Sequence, residues 1–173
     1  MGLRPGRAMR KIERPWTRVS TRVPRKSYVA GVPQIKLHQF EMGSRNKQFE
    51  LTLYLIAEQA VQLREQSMEA ARVVSQQFLE KKLGLDNYFY KVLVYPHQVI
   101  REKPIATGAG ADRYSTGMSL SFGKPSTSAA RIKKYQKLLM LRINKSGLEL
   151  AKQALKKAAL KLSTPSKIIV EEA

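Results

Sequence analysis

The sequence contains no cysteine, only two histidines and only 13 acidic residues among its 173 positions. Without cysteine the chain can form neither disulfide bonds nor thiolate metal sites. A zinc site would have to join His38 and His97 to distant carboxylates, so the sequence predicts no metal and no cofactor. His38 alternates along a predicted strand and His97 follows Pro96 at a strand end. We interpret both as surface or packing residues, with RNA contact as the alternative.

Long hydrophobic runs are missing as well. No apolar segment approaches the roughly 18 residues needed to span a bilayer. The basic N-terminus is not followed by the continuous apolar segment of a secretory signal, and "MGLRPG" lacks the Ser or Thr of a myristoylation signal. The sequence therefore predicts a cytoplasmic protein that has no membrane partner.

The few acids contrast with 32 lysines and arginines, which give a formal net charge of +19. A compact domain with this charge repels itself, so a polyanion is its natural partner. Residues 1–33 carry nine basic residues and one acid, residues 103–146 carry nine and one, and residues 34–102 carry nine and eight. The excess lies in segments rich in Gly, Pro, Ser and Thr. This pattern predicts a single folded domain, residues 34–173, with a basic RNA-binding extension, residues 1–33.

Within the extension, arginine recurs every three or four residues among prolines and two aromatic residues. Arginine pairs with phosphate through its planar fork, and aromatic rings stack on unpaired bases. The prolines disfavour an amphipathic membrane helix. A basic tail without a specific ligand is the alternative. The candidate RNA-binding residues are Arg4, Arg7, Arg10, Lys11, Arg14, Trp16, Arg18, Arg22, Arg25 and Lys26.

The periodic segments predict the element order β-β-α-β, loop, β-α-β. Alternating or β-branched and aromatic residues indicate strands at 34–42, 48–57, 88–95, 137–143 and 167–171. Helical spacing indicates helices over 57–84, ending at Gly84, and over 146–162, beginning with a capping box of Ser146 and Glu149. The sequence thus predicts an α+β fold, with a mixed or antiparallel sheet packed with two helices.

Four glycines punctuate residues 102–125, where Asp112 is the only acid after Glu102. A dinucleotide-binding loop requires G-x-G-x-x-G directly before a helix, but Arg113 occupies the position of the third glycine. "FGKPS" lacks the upstream glycine of a P-loop, and no spacing makes a nucleophile–base pair. The sequence therefore predicts neither an enzyme nor a small-molecule substrate. We interpret the stretch as a mobile loop, at about 102–117, that approaches RNA closely because it lacks bulky side chains.

A second basic cluster follows the Gly-rich stretch, in "FGKP" and in "AARIKKYQK" at 129–137. A solvated turn before a strand is the alternative, but the nearby Tyr135 favours RNA contact. The candidate RNA-binding residues here are Lys124, Arg131, Lys133 and Lys134.

Three segments, "AEQAVQLREQSMEAAR", "YFYKVLVYPHQVIREKPIATGAGADRYSTGM" and "FGKPSTSAARIKK", closely resemble the large-subunit ribosomal protein family called L-sixteen in bacteria and L-ten-e in archaea and eukaryotes. The resemblance covers nearly the whole chain, and its most specific part is "ATGAGADR…GM…FGKP…AAR". The "MGLRPGR" start and the overall length are similar to the archaeal branch.

This resemblance implies an α/β-hammerhead-type fold on large-subunit rRNA, in the cytoplasmic ribosome, where the protein is a structural constituent and not an enzyme. It implies rRNA, A-site tRNA and neighbouring ribosomal proteins as partners. The extension, here Arg4 to Lys26, would lie within rRNA, and the long loop, here Lys103–Tyr114, would point toward the peptidyl transferase centre. The residues of that loop are Lys103, Gly108, Gly110, Asp112 and Arg113. An RNA-modifying or processing enzyme and a free-standing single-stranded nucleic-acid-binding protein are the alternatives.

Overall fold

The computed structural model describes residues 5–12, 19–20, 22–29 and 31–172. Within these residues the chain forms eight strands and three helices. The strands are β1 (Glu41–Gly43), β2 (Leu51–Ala57), β3 (Val61–Arg64), β4 (Tyr88–Val92), β5 (Gln98–Glu102), β6 (Lys124–Ile132), β7 (Lys137–Ile143) and β8 (Ser166–Glu172). The helices are α1 (Glu65–Leu83), α2 (Ala111–Tyr114) and α3 (Leu148–Ala159).

The strands form two antiparallel sheets. The larger sheet has the order β1-β4-β7-β2-β8, and the smaller one has the order β3-β6-β5. The α+β class is therefore confirmed. The structure adds two features to the predicted sheet and two helices: β3, β5 and β6 form a second antiparallel sheet, and α2 is a short third helix.

Helices α1 and α3 cover one face of the larger sheet. Alternate residues of the central strands, such as Leu53 on β2 and Leu141 on β7, point to this face and are completely buried. Helix α3 meets them with Ala151, Ala154 and Leu155, and the alanines let the helix lie close to the sheet. Burial of each leucine side chain contributes about 2 kcal/mol. The opposite face of the sheet, called the outer face below, carries Tyr54, Phe89, Met140 and Arg142.

The first helix begins later than its helical pattern predicts. Residues 61–64 form β3, with Val61 and Leu63 buried, and α1 starts at Glu65. Its 19 residues span about 28 Å, whereas the predicted helix of residues 57–84 would span about 42 Å. The predicted end at Gly84 is confirmed: its N–H donates to the carbonyl of Glu80 at 3.0 Å, and its φ is 77°.

The predicted capping box of the second long helix is wrong. Helix α3 begins at Leu148, after a single 3-10 turn at Lys145–Gly147, and no side chain caps its N-terminus. Glu149 instead accepts a hydrogen bond from Lys152 Nζ at 2.8 Å. The short turn moves the helix start two residues past Ser146, which removes the spacing that a capping box requires.

The predicted strand at 34–42 joins the sheet only at Glu41–Gly43. The preceding residues lie along α1, where glutamate side chains replace strand carbonyls as acceptors. The Lys36 N–H donates to Glu65 Oε2 at 3.1 Å, and the His38 N–H donates to Glu69 Oε2 at 3.4 Å. The remaining predicted strands are confirmed as β2, β4, β7 and β8. No helix in the described residues is both long and apolar enough to cross a bilayer.

Candidate RNA interface

The described part of the N-terminal extension is fixed to the edge of the smaller sheet. Residues Gly6–Met9 form a 3-10 turn, and the carbonyl of Arg10 accepts the Gln62 N–H of β3 at 2.8 Å. The Gln62 side-chain amide donates to the carbonyl of Met9 at 3.2 Å. Because β3 is an edge strand, its free backbone groups are available for this contact. The backbone of the extension is thus held while Arg7, Arg10 and Lys11 remain exposed.

This contact brings together two basic groups that are far apart in sequence. Gln62 is the cross-strand partner of Arg131 on β6, and on its other side it binds the carbonyl of Arg10. Arg10, Gln62 and Arg131 therefore lie in one row across the sheet. Lys133 and Lys134 follow directly in the turn between β6 and β7, and both are exposed. We call Arg10, Lys11, Arg131, Lys133 and Lys134 the basic row.

The structure separates Lys124 from this group. Lys124 and Arg131 lie on the same strand, seven residues apart, which corresponds to about 23 Å. Lys124 is at the base of the Gly-rich loop, opposite Glu102 of β5. Lys124 and the basic row therefore lie in two separate parts of the surface.

The rest of the described extension forms a second exposed basic segment. A 3-10 turn at Pro24–Lys26 contains Arg25 and Lys26 and follows Arg22, and all three residues are exposed. Buried Val29 anchors its C-terminal end. Ser27 Oγ accepts the N–H of Ser20 at 2.9 Å and closes the loop. Four candidates, Arg4, Arg14, Trp16 and Arg18, lie outside the described residues.

Five cations of the folded domain form ion pairs, whereas no described cation of the extension does. The described ion pairs join Glu41 to Arg45 and Lys91, Glu69 to Arg72, Glu149 to Lys152, and Glu171 to Lys137. Within the described residues, no ion pair involves Arg7, Arg10, Lys11, Arg22, Arg25 or Lys26. A hydrogen bond from the basic partner is the main cause of the lowered pKa of Glu41, Glu69 and Glu149. Part of the domain's positive charge is thus compensated internally, whereas the described extension presents only uncompensated charge.

The Gly-rich stretch is the loop of a long hairpin. Strands β5 and β6 form its stem, and residues 103–123, called the finger loop below, connect them. At the base, the Arg101 guanidinium lies 3.7 Å from the centroid of the Phe122 ring and donates to the Phe122 carbonyl. Lys103 Nζ donates to Thr116 Oγ1 at 3.3 Å. Gly123 has φ 78°, and a Cβ there would lie 3.0 Å from the backbone of Glu102, so only glycine fits this close approach.

Farther along the finger loop, the residues predicted to face RNA are exposed. Gly108 and Gly110 have φ of 111° and 76°, with open space around them, so turn geometry and not packing requires glycine. Gly110 precedes the short helix α2, which carries Asp112 and Arg113 on the surface. The expectation that the loop lacks bulky side chains is wrong for its second half. Tyr114 and Leu120 are each 89% exposed there.

The sequence-based predictions missed three features of this surface. Strands β5 and β6 were not predicted, so neither was the Arg101–Phe122 contact at the base of the finger loop. The contact between the extension and β3 depends on distant chain segments and has no local signal. The third is Tyr135, whose φ of 63° is in the left-handed region. The neighbouring "KK" indicated a turn, but nothing in the sequence indicated strain.

Comparison with known proteins agrees with this picture. A family model described as Ribosomal protein L16p/L10e matches residues 16–169. The chain is similar to proteins named Large ribosomal subunit protein uL16. It is 41% identical to that of Archaeoglobus fulgidus over 172 residues, covering 99% of this chain and 95% of that protein. It is 44% identical to that of Picrophilus torridus over 161 residues, covering 92% of each, and 39% identical to that of Methanocella arvoryzae over 172 residues, covering 99% and 96%.

The fold and the exposed cations define a small, basic α+β protein that needs a polyanionic partner. The chain belongs to the ribosomal protein L16p/L10e family and is a protein of the large ribosomal subunit. Membership implies rRNA and other ribosomal proteins as partners and places the protein in the cytoplasmic ribosome. It also confirms the predictions that the chain is not an enzyme and resembles the archaeal branch of this family.

Proposed function

We propose that the protein binds large-subunit rRNA through its N-terminal extension and the basic row, and that its finger loop lies beside the path of A-site tRNA near the peptidyl transferase centre. In this role it is a structural constituent that shapes the tRNA path, while RNA carries out the reaction. Its direct partners would be rRNA, A-site tRNA and adjacent ribosomal proteins.

The proposal rests on the contrast between cations that form ion pairs with acidic residues and cations that do not. Six described cations of the extension are exposed without an ion pair, whereas four acids of the domain, Glu41, Glu69, Glu149 and Glu171, pair with its own lysines and arginines. Exposed arginines that are free of carboxylates bind phosphate without first breaking an internal contact. The row of Arg10, Gln62 and Arg131 supports a continuous phosphate-binding surface from the extension to the domain.

The chain would have two functional parts, a basic extension at 1–33 and a domain at 34–173. Arg4, Arg14, Trp16 and Arg18 would extend the surface that the described residues begin. Lys103 and Arg113 of the finger loop and Lys124 at its base would contact phosphate, and Gly108 and Gly110 would allow close approach of the backbone to RNA. Asp112 would belong to the same RNA-facing loop. The loop would be mobile at about 102–117 until RNA orders it.

Removal of three exposed charges tests the rRNA-binding surface. Combined replacement of Arg7, Arg10 and Lys11 by Ala should weaken binding to large-subunit rRNA while the circular dichroism spectrum stays unchanged. If each residue contacts one phosphate, the slope of log K against log salt should fall in magnitude by roughly 2 to 3. The measurement is an RNA filter-binding titration at several salt concentrations.

The matched control removes equal charge elsewhere, by combined replacement of Lys81, Lys82 and Lys145 by Ala. These exposed lysines lie at the C-terminal end of α1 and in the neighbouring turn at Lys145–Gly147, at the opposite end of α1 from β3. The control should retain the wild-type salt slope. Equal losses in the two variants would show that binding depends on net charge alone and would contradict the proposed surface.

Shortening the finger loop tests its separate role. Deletion of residues 106–111 removes exposed or half-exposed residues and leaves the stem of β5 and β6 intact. The unfolding midpoint and incorporation into large subunits should remain near wild type. Translation that depends on A-site tRNA should fall several-fold, as measured with reconstituted subunits. A normal translation rate with full incorporation would refute the assignment of the finger loop to the tRNA path.

A further inference from the structure

A surface groove of about 590 Å³ lies where the β6–β7 turn meets strands β2 and β8. Ile56 and Ile169 form its apolar floor on the outer face of the larger sheet, and Lys134 and Lys167 line its sides. Lys167 is the cross-strand partner of Ile56, so the cation lies directly beside the floor. The groove thus combines an apolar base with positive charge at its rim.

Tyr135 forms one wall of the groove in a strained conformation. Its φ is 63°, a region that glycine adopts freely and a bulky side chain rarely adopts. Its N–H donates to the carbonyl of Ala57 at 2.7 Å, so the turn requires the backbone conformation but not the side chain. Tyr135 as a whole is 67% exposed. Neither turn formation nor core packing therefore explains a tyrosine here, and such strain is typical of functional positions.

The surroundings of the ring suit an unpaired nucleotide. Lys134 Nζ lies 4.9 Å from the centroid of the Tyr135 ring, and Lys133 is exposed beside it. An aromatic ring flanked by lysines is the usual platform for single-stranded RNA, because the ring stacks on a base while the cations bind phosphate. Glu58 and Gln59 line the same groove and offer hydrogen-bonding groups to a base edge. Glu58 is the one acid among the lining residues, so an anionic ligand is favoured.

We propose that this groove binds one unpaired nucleotide of RNA, with its base stacked on Tyr135 and its phosphates against Lys134 and Lys167. The site is separate from the finger loop and adjoins the basic row through Lys134. The inference deepens the proposed rRNA binding and rests on it.

A photochemical cross-link tests the stacking contact directly. The probe is a nine-nucleotide single-stranded RNA with 5-iodouridine, with a duplex of equal length as the comparison ligand. Irradiation of the wild-type complex should cross-link the single strand to Tyr135, as mapped by mass spectrometry. Tyr135→Phe should retain the cross-link and the affinity. Tyr135→Gly should lose the cross-link and bind the single strand about tenfold more weakly, with unchanged duplex binding.

Thermal unfolding separates this role from a packing role. Glycine relieves the positive φ, so Tyr135→Gly should unfold at the same temperature as wild type or higher. A lower unfolding midpoint for Tyr135→Gly than for Tyr135→Phe would show that the ring stabilises the fold. If Tyr135→Gly binds the single strand with wild-type affinity, the ring binds no base. Either result would overturn the inference.

The variant lacking Arg7, Arg10 and Lys11 distinguishes the inference from the proposal beneath it. If that variant loses rRNA binding while Tyr135→Gly binds the single strand like wild type, the proposed function stands and the nucleotide site is wrong. If the wild-type protein binds neither RNA, the proposed function itself fails. Protection of Tyr135 by another large-subunit protein, without any RNA cross-link, would assign the groove to a protein partner and also overturn the inference.

Discussion

Raising the salt concentration from 50 to 200 mM is expected to weaken binding of the protein to large-subunit rRNA by roughly 10³–10⁵-fold. The expectation assumes that six to ten phosphates are neutralised. Arg7, Arg10, Lys11, Arg22, Arg25 and Lys26 are exposed without described ion pairs, and the basic row adds Arg131, Lys133 and Lys134. Each bound phosphate releases condensed counterions, so added salt opposes every contact.

The measurement is the affinity for an rRNA fragment at four or more salt concentrations and constant pH. A parallel titration with potassium glutamate in place of chloride would separate cation release from anion effects, because the RNA counterions are the same in both. The slope should correspond to at least six phosphates. Binding that changes less than about tenfold across this range would mean that stacking or protein contacts, and not phosphate pairing, hold the chain to RNA.

The distribution of charge could be predicted from the sequence because it needs no knowledge of the fold. Residues 1–33 and 103–146 carry most of the excess of basic over acidic residues. In the structure, acids of the remaining segments form ion pairs within the domain, such as Glu41–Lys91 and Glu69–Arg72. Local sequence cannot show that Arg10 and Arg131 lie in one row, since only the pairing of β3 with β6 and with the extension brings them together.

Some strands could likewise be predicted from local sequence, and others could not. Strand β2 alternates leucine with Thr52 and Tyr54 over its first five positions, β7 is an apolar run interrupted by Arg142, and both were predicted correctly. Strand β6 has the sequence KPSTSAARI, in which Ala129, Ala130 and Ile132 are buried against β3 and β5. Alanine and serine have weak strand propensity, so distant pairing and not local preference makes this segment a strand.

The segment before β1 shows a different reason for an inaccurate prediction. Ile35 and Leu37 alternate with polar residues, as in a strand, and Leu37 is indeed buried. Their neighbours' N–H groups, however, bind the carboxylates of Glu65 and Glu69 on α1 instead of a partner strand. Alternation reports which side chains are buried, and it does not report which acceptor satisfies the backbone.

Replacing Glu69 by Ala should lower the free energy of unfolding by about 2–3 kcal/mol. Arg72 is buried, with 8% of its side chain exposed, and donates to both carboxylate oxygens of Glu69, including Nε to Oε2 at 2.9 Å. Without Glu69 the guanidinium keeps only neutral acceptors such as Gln76 and loses its compensating charge. The His38 N–H loses its acceptor as well. Alanine is a good helix former, so helix propensity does not contribute to the loss.

Glu149→Ala is the matched control, because Glu149 also pairs with a basic residue three positions later on a helix, but on the surface. It should leave the denaturant midpoint almost unchanged, since exposed ion pairs stabilise little.

The stability of Glu69→Ala and of the wild-type protein should also differ in pH dependence. The hydrogen bond from Arg72 lowers the pKa of Glu69 in the folded protein, so its stabilisation is present above the unfolded pKa and is lost as the pH falls through the folded one. Urea denaturation from pH 7 to pH 3 should therefore show a shallower loss of stability for Glu69→Ala than for wild type. Parallel curves would show that ionised Glu69, paired with Arg72, does not stabilise the fold.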